Sequence, residues 1–308
     1  MRIASLIPSG TDIAASLGLA DALVGVSHEC DHPAAAGLPV LTASTVGAAG
    51  HDVDGPDPAD IDRQVVDAVT NGRSLYTTEV ERLRDLRPDV VLSQDVCDVC
   101  AVDGALARAS LPDGAELVML EATNLVGLMD DVRRVGKATG REGVAEQVIA
   151  GVRARLQHVS DAVAAAPRPR VVTVEWTDPP FLGGHWVPEL VEAAGGEHLL
   201  SSPGDPSRRA TWDEIAEADP DIIVVMPCGY TLEVAVAETR QLVARPEVAS
   251  LRAVRDGALW VTAATRLFSR CTPDAVTAGA AVLGGILHPD RLPSPPPTLA
   301  VRLAETGP

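Results

Sequence analysis

Short apolar runs alternate along this chain with longer amphipathic segments, and this order predicts an α/β fold. The predicted strands are Arg2–Ile7, Val24–Val26, Val90–Leu92, Leu117–Leu120, Arg170–Val174, Ile222–Val225 and Ala258–Thr262. The predicted helices include Ile61–Val69, Thr78–Leu86, Leu125–Thr139 and Pro273–Leu287.

One longer helix is predicted from about Glu142 to Ala166, where Val144 and Val148 recur at helical spacing. At 1.5 Å per residue such a helix would span roughly 35–40 Å. The segment Pro167–Pro169 ends it. Because this helix is too long to lie within a small lobe, we interpret it as a rigid connector.

The second half of the chain repeats the pattern of the first. Thr211–Ile223 matches Thr78–Val91, since each contains an amphipathic helix, a Pro-Asp pair and then a buried strand. Arg170–Val174 likewise matches Arg2–Leu6. We therefore predict two related, Rossmann-like α/β lobes joined by one long backbone helix. The expected bounds are 1–140 for the N-terminal lobe, 141–167 for the connecting helix, 168–290 for the C-terminal lobe and 291–308 for a Pro-rich surface tail.

Composition and charge exclude several classes of protein. The chain of 308 residues is 46% apolar, which excludes a disordered or fibrous protein. Its formal charge of −18 would repel phosphate, so nucleic acid is not expected as a partner. No apolar run approaches the ~20 residues of a membrane span, so membrane insertion is not expected. The sequence shows no signal peptide, and we expect a cytoplasmic protein whose cysteines form no disulfide framework.

Four thiols, those of Cys30, Cys97, Cys100 and Cys228, each come shortly after a predicted buried strand. Ligands of open α/β sheets bind beyond the carboxyl ends of the strands. When the two Pro-Asp pairs are superposed, Cys97 and Cys228 fall within one residue of each other, so both should face a cleft between the lobes. Thiolates are suited to zinc, copper(I) or iron–sulfur clusters. The four cysteines are therefore candidate ligands of a metal ion or an iron–sulfur cluster, or else small buried apolar side chains. We treat Cys271 as incidental.

Further side chains near the predicted strand ends are candidates for contact with a ligand. They are His28, Glu29, Asp31, Tyr76, Asp95, Glu175, Trp176, Phe181, His185, Trp186, Tyr230 and Arg270. His28, Glu29 and Asp31 can ligate a metal or exchange protons, although each is also an ordinary hydrogen-bonding loop residue. Trp186 either packs between the lobes or stacks on a flat ligand. An unpaired Glu175 would be costly in a cleft, so it should meet a ligand or a cation.

Several short segments of the sequence resemble those of a known family. They are residues 27–31 (Ser-His-Glu-Cys-Asp), 74–76 (Ser-Leu-Tyr), 94–100 (Gln-Asp-Val-Cys-Asp-Val-Cys), 175–176 (Glu-Trp) with 179–181 (Pro-Pro-Phe), 184–189 (Gly-His-Trp-Val-Pro-Glu) and 227–229 (Pro-Cys-Gly). With two α/β lobes on one long helix, they resemble the helical-backbone (class III) substrate-binding proteins that deliver cobalamin, haem and iron chelates to ABC transporters. The segments are similar to those of a branch of this family that lacks a leader sequence, the cobalamin-binding-like proteins. The resemblance implies a class III periplasmic-binding-protein-like fold and a corrinoid as a ligand. Because the sequence shows no export signal, an ABC transporter is left open as a partner.

We predict a soluble binding protein that holds a metal-containing small molecule in the interlobe cleft, either a corrinoid-like complex or a thiolate-bound metal ion or iron–sulfur cluster. One alternative is an intracellular enzyme that uses a cysteine-ligated metal or cluster, with His28, Glu29 or Glu175 as acid–base groups. A further alternative is a thiol-redox protein, since a C-x-x-C spacing lowers a cysteine pKa. No catalytic residue is assigned, because the sequence contains no nucleophile elbow, phosphate-binding glycine loop or helical metalloprotease motif.

Overall fold

The computed structural model describes residues 1–45, 57–94 and 104–303, which form two structural units. Of these residues, the first unit holds 1–45, 60–94 and 104–151, and the second holds 57–59 and 152–303. The units correspond to the two halves of the chain in which the hydrophobic pattern repeats.

The first unit is built on a parallel sheet. Its strands are β1 (Ile3–Ser5), β2 (Leu23–Gly25), β3 (Thr42–Ser44), β4 (Tyr76–Thr78), β5 (Val90–Gln94) and β6 (Glu116–Leu120). Among the described residues the sheet has the order β2-β1-β5-β6, with every neighbouring pair parallel. A central first strand with later strands added on both sides is the doubly wound arrangement of a Rossmann-like lobe. β3 and β4 form a separate antiparallel ribbon that sets Ser44 opposite Tyr76.

Helices connect the strands of the first unit. They are α1 (Pro8–Ser16), α2 (Pro58–Thr70), α3 (Val80–Asp85), α4 (Gly104–Ser110), α5 (Leu125–Ala138) and α6 (Glu142–Val163). α1 begins with a proline, whose fixed φ suits the first turn of a helix. Before α5, the Asn124 side chain accepts a hydrogen bond from the Gly127 amide at 2.8 Å and so caps the helix. α6 runs from the first unit into the second and is the connector predicted over residues 142–166.

The second unit has a larger, mixed sheet. Its strands are β7 (Arg170–Thr177), β8 (Pro180–Leu182), β9 (Glu197–His198), β10 (Arg208–Arg209), β11 (Ile222–Val225), β12 (Leu259–Thr262) and β13 (Ala300–Leu303). Among the described residues their order is β10-β8-β7-β11-β12-β13, and β9 also pairs with β7. β9, β7, β11 and β12 are parallel neighbours, in the same connectivity as β2, β1, β5 and β6. β8, β10 and β13 extend this set by antiparallel pairing.

Seven further helices are described in the second unit. They are α7 (Val187–Ala193), α8 (Trp212–Ala218), α9 (Leu232–Leu242), α10 (Pro246–Ala249), α11 (Arg252–Arg255), α12 (Ala264–Leu267) and α13 (Pro273–Leu287). α13 is buried along most of its length, as its apolar sequence predicts. Across residues 1–45, 57–94 and 104–303, the helices fall short of the length and apolar character that a bilayer crossing requires.

In both units the core lies against the parallel strands, because their side chains are apolar on both faces. In the first unit the core cluster consists of Ala4, Leu6, Leu41, Leu83, Val91 and Ala107. In the second, Val172, Val174, Ile223, Val225, Leu259 and Val261 form its centre.

The two units share one arrangement at the start of the third parallel strand. In the first unit, Asp89 accepts a hydrogen bond from the Arg2 amide at 2.7 Å, and its own amide donates to the Arg2 carbonyl at 2.8 Å. In the second unit, Asp221 makes the same two bonds with Arg170, each 2.8 Å long. The aspartate of each Pro-Asp pair therefore fixes its strand against the first strand of its own unit.

The turn before each aspartate is repeated as well. Arg87 and Asp219 each precede the proline of the pair, and their φ angles are +44° and +43°. Left-handed backbone is uncommon for residues other than glycine. Its presence at both positions shows that the repeat seen in the sequence is also a repeat of local structure.

The structure contains elements that the hydrophobic pattern did not predict. The predicted helix Thr78–Leu86 starts only at Val80, because Tyr76–Thr78 pair with β3. Within the segment predicted to be a Pro-rich tail, Ala300–Leu303 form β13 and pair with β12. A short strand of this kind is stabilised by a partner distant in the sequence, so the local pattern does not predict it.

Asp131 of α5 joins this helix to the chain just beyond β6. Its carboxylate is 2% exposed and accepts hydrogen bonds from the amides of Glu121 and Ala122, each at 3.0 Å at closest. Arg134 binds the same carboxylate at 2.5 Å. Burial raises the pKa of Asp131, and the two amides and Arg134 oppose that shift. The buried carboxylate therefore accepts hydrogen bonds from two amides that follow the end of β6, the partly buried one of Glu121 and the buried one of Ala122.

We expect Asp131→Ala to lower the free energy of unfolding by about 3 kcal/mol, because it leaves these amides and Arg134 without their buried partner. Urea denaturation followed by circular dichroism measures the loss. The matched control is Asp130→Ala on the same helix, whose exposed ion pair with Arg133 should contribute less than about 1 kcal/mol. Equal losses in the two variants would contradict this assignment.

Candidate functional site

In the second unit, two predicted site residues lie side by side at the carboxyl ends of neighbouring strands. Val174 of β7 is opposite Val225 of β11, and the two strands are parallel. Glu175 is the next residue of β7, and its carbonyl accepts a hydrogen bond from the Cys228 amide at 3.3 Å. Both residues are half-buried. The structure thus places Glu175 and Cys228 at the sheet edge at which the sequence predicts them.

Trp176 and Tyr230 form an aromatic pair at the same edge. Their ring centroids are 5.4 Å apart and their planes are inclined by 52°, a geometry that aromatic quadrupoles favour. The Trp176 indole N–H donates to the Pro58 carbonyl at 3.2 Å. Burial raises the pKa of the Tyr230 phenol far above its usual range. The pair therefore combines flat apolar surface with an uncharged phenol.

Phe181 and Trp186 contact other residues of the second unit. The Arg209 guanidinium lies over the Phe181 ring, 5.4 Å from its centroid, as a cation–π contact. The Trp186 indole N–H donates to the Phe268 carbonyl at 3.1 Å, so its polar atom is satisfied within this unit. Arg270, two residues farther along, is half-buried.

His185 has a left-handed backbone, with φ of +53°. Its amide donates to the Asp205 carbonyl at 2.6 Å, and its carbonyl accepts from the Gly204 amide at 2.9 Å. A Cβ on the preceding Gly184 would lie 2.5 Å from the Ser207 amide nitrogen, so only glycine fits there. Burial lowers the pKa of His185, which keeps its imidazole neutral at pH 7. Strained backbone of this kind occurs often at functional sites, and His185 remains a candidate.

In the first unit, His28 lies in the segment after β2 and contacts the β3–β4 ribbon. Thr42 of β3 accepts a hydrogen bond from the His28 amide at 3.1 Å, and its hydroxyl lies 2.7 Å from the His28 Nδ1 atom. The Tyr76 ring of β4 lies 5.7 Å from the imidazole, centroid to centroid. The structure therefore brings together two predicted site residues, His28 and Tyr76, and one that was not predicted, Thr42.

The second ring nitrogen of His28 has a different environment. Nε2 is buried and has no hydrogen-bond partner among the described residues. A Glu29 carboxylate oxygen is 3.5 Å away, which is an ion pair only if the imidazole is charged. Burial lowers the pKa of His28, and Glu29 opposes that shift only in part. The imidazole is therefore mostly neutral at pH 7 and is held through Nδ1. In the tautomer in which the Nδ1–H donates to Thr42, Nε2 is available as a metal ligand or hydrogen-bond acceptor.

Cys30, two residues after His28, is half-buried, and its sulfur lies 3.1 Å from the Thr11 hydroxyl of α1. Glu29 and Asp31 on either side are exposed. The first unit thus positions one predicted thiol against a helix and presents two carboxyl groups to solvent.

Asp95, Cys97 and Cys100 lie outside the described residues, so the predicted four-thiol site stays a prediction. Cys30 belongs to the first unit and Cys228 to the second. Within residues 1–45, 57–94 and 104–303, no group of three or more His, Cys, Asp or Glu side chains is arranged to hold a metal ion.

Three polar residues of these regions were not predicted from the sequence. Thr11 and Thr42 are ordinary threonines whose partners lie in other segments, and no local signal distinguishes them. Glu238 lies on α9, with its Oε1 atom buried and without a hydrogen-bond partner among the described residues. The sequence did contain a signal for Glu238. It follows the buried Val234 and Ala235 by four and three positions, so the helical spacing places this carboxyl group on the buried face of α9.

Comparison with known proteins agrees with this architecture. A family model described as periplasmic binding protein matches residues 3–264. A vitamin B12-binding protein of Vibrio cholerae is 22% identical over 280 residues, which are 90% of this chain and 86% of that protein. A periplasmic haem-binding protein of Pseudomonas aeruginosa superposes with a TM-score of 0.72 at 23% identity, covering 99% of each chain. A periplasmic vitamin B12-binding protein of V. cholerae superposes with a TM-score of 0.67 at 21% identity, covering 93% of this chain and 96% of the other.

The environment of His28 predicts its titration. We expect the imidazole to titrate below the usual 6.5, and Glu29→Gln to lower the pKa further, because it removes the carboxylate that favours the charged form. Asp31→Asn, which changes a nearby exposed carboxylate, is the matched control. A proton NMR titration of the His28 Cε1–H resonance measures all three proteins. A His28 pKa at or above 6.5, or a rise in Glu29→Gln, would refute this description.

Proposed function

Because this chain belongs to the periplasmic binding protein family, we propose that it is a binding protein whose ligand is a metal-containing macrocycle, a corrinoid or a haem. The observation that carries the proposal is the similarity, over 90% of the chain, to a vitamin B12-binding protein. The haem-binding protein of P. aeruginosa supports the same ligand class through its fold.

The side chains at the sheet edges suit such a ligand. Trp176 and Tyr230 offer ring faces on which a flat macrocycle can stack. His28 is mostly neutral, is oriented by Thr42, and has an Nε2 atom that makes no hydrogen bond with the described residues, which are properties of a histidine that binds a metal centre. Tyr76 beside it adds a phenol and a ring face. These four residues are our proposed ligand contacts, and the interlobe cleft as the location of the ligand stays a prediction.

A second ligand class, a metal ion or iron–sulfur cluster held by thiolates, rests on the four predicted thiols of Cys30, Cys97, Cys100 and Cys228, of which Cys30 and Cys228 are among the described residues. Both cysteines follow parallel strands, and the Cys228 amide donates a hydrogen bond to the carbonyl of Glu175 in β7. The absorption spectrum of protein purified without oxygen separates the two classes. Corrinoid bands or a haem Soret band support the macrocycle, and broad iron–sulfur charge-transfer bands support the thiolate site.

The partner and the location are further proposals. A solved ABC transporter substrate-binding protein of Listeria monocytogenes has the same fold, with a TM-score of 0.68. An ABC transporter is therefore the partner we propose for ligand transfer. The cytoplasmic location expected from the sequence stays a prediction, and cell fractionation decides it.

Titration of the purified protein with cyanocobalamin and, separately, with haemin tests the proposed ligand. We expect one of them to bind with a one-to-one stoichiometry and a Kd near or below about 1 μM, a free energy of about −8 kcal/mol. Absorbance changes and isothermal calorimetry measure the binding. Failure of both ligands to bind, with neither present in the purified protein, would refute the proposal.

The same titration tests the role of His28. His28→Ala should weaken binding by at least about tenfold, corresponding to the loss of ~1.4 kcal/mol. The matched control, His158→Ala, changes an exposed histidine of α6 and should bind as the unchanged protein does. Equal affinities of the two variants would remove His28 from the site while leaving the ligand class intact.

A further inference from the structure

Glu238, a half-buried carboxyl group of the second unit, lies near three other charged side chains. Glu238 of α9 has Asp178, Asp57 and Arg245 as its charged neighbours, and Tyr230 faces both Glu238 and Asp57. Asp178 follows β7 and is paired with Arg245 at 2.6 Å. Glu238 has no comparable partner, because its buried Oε1 atom accepts no hydrogen bond from the described residues.

This arrangement favours a neutral Glu238. A buried carboxylate without a hydrogen-bond donor is costly, and the Asp178 charge adds repulsion. Burial, Asp178 and Asp57 together raise the pKa of Glu238 to about 8, with Arg245 opposing them. Glu238 is therefore mostly protonated at pH 7 and mostly ionised at pH 9.

A short segment of the chain contacts this cluster. Residues 57–59, which we call the strap, include the first two residues of α2 and group with the second unit, whereas the chain from Asp60 onward groups with the first. The Pro58 carbonyl of the strap accepts the Trp176 indole N–H at 3.2 Å. Trp176 in turn packs against Tyr230. The exposed Asp57 brings a negative charge close to Glu238.

We propose that Glu238 is a proton-sensitive latch that keeps the strap on the Trp176–Tyr230 pair while it is neutral and releases the strap when it loses its proton to solvent. Ionisation places a third negative charge near Asp57 and Asp178, and the Arg245 guanidinium is already paired with Asp178. Moving Asp57 away and admitting water to Glu238 relieves the repulsion. Release breaks the Trp176–Pro58 hydrogen bond and exposes the Trp176 indole N–H to solvent. The latch needs no ligand, so its test does not depend on whether the protein binds a macrocycle.

The test follows Trp176 and the strap between pH 7 and pH 9. In protein labelled with 5-fluorotryptophan, the Trp176 fluorine resonance, identified by its loss in Trp176→Phe, should shift with a midpoint near pH 8. Hydrogen exchange of the strap amides, those of Asp57 and Ala59, corrected for the intrinsic pH effect, should rise by about tenfold, the factor that corresponds to one pKa unit of coupling. In Glu238→Gln, which is permanently neutral, both signals should keep their pH 7 values at pH 9.

The matched control is Glu233→Gln, an exposed acid on the same helix, which should behave as the unchanged protein does. Trp176→Phe provides a second test that leaves the carboxyl groups intact. It removes the bond to Pro58, so the strap amides should exchange fast already at pH 7. The proposal is overturned if the unchanged protein shows no transition, if Glu238→Gln retains it, or if strap exchange in Trp176→Phe at pH 7 stays as slow as in the unchanged protein.

Discussion

The parallel pairing of the first and third strands, fixed in each unit by one aspartate, is the constraint on which the rest of the structure depends. Asp89 and Asp221 accept a hydrogen bond from the amide that starts the first strand and return one to its carbonyl. These bonds set the register of β5 against β1 and of β11 against β7. Because the register is fixed, the residues that follow the strands leave the sheet at a defined level. The polar and aromatic side chains at the carboxyl edge owe their positions to this pairing.

Much of this framework could be predicted from the sequence, because its signals are local. Apolar runs such as Val90–Leu92 and Ile222–Val225 predict buried strands, and all of their central residues are buried. The two Pro-Asp pairs showed that the halves are related, and the hydrogen bonds of both aspartates agree with that interpretation. The long pattern after Glu142 predicted the connecting helix, which ends at Val163 in the structure.

The contacts that define the candidate sites were less predictable, since they join distant segments. Thr42 meets His28 across 14 positions of the chain, and Trp176 meets Pro58 across 118. Nothing in the sequence around Thr42 or Pro58 indicates which distant residue it contacts. The strand β13 likewise depends on β12 for its pairing. Sequence pattern predicts which residues leave a strand end, whereas tertiary packing decides what they meet there.

The two units have similar frameworks and different chemistry at the strand ends. The first presents a neutral imidazole with one ring nitrogen held by a hydroxyl, and the second presents an aromatic pair beside a carboxyl cluster. In the second unit, Trp176 has two roles in our account, since it holds the strap through its N–H and offers a ring face to a ligand. Holding the strap and stacking on a ligand therefore involve the same side chain.

The most direct test of the central claim, that the carboxyl edges of the strands hold a metal-containing macrocycle, is a crystal structure of the protein with its bound ligand. Data collected at the cobalt or iron absorption edge locate the metal independently of the protein atoms. Our account predicts one anomalous peak beyond the carboxyl ends of the parallel strands, with the macrocycle in contact with His28, Tyr76, Trp176 or Tyr230. A peak at the amino ends of the strands or on an outer helix face, with none of these residues in contact, would contradict it.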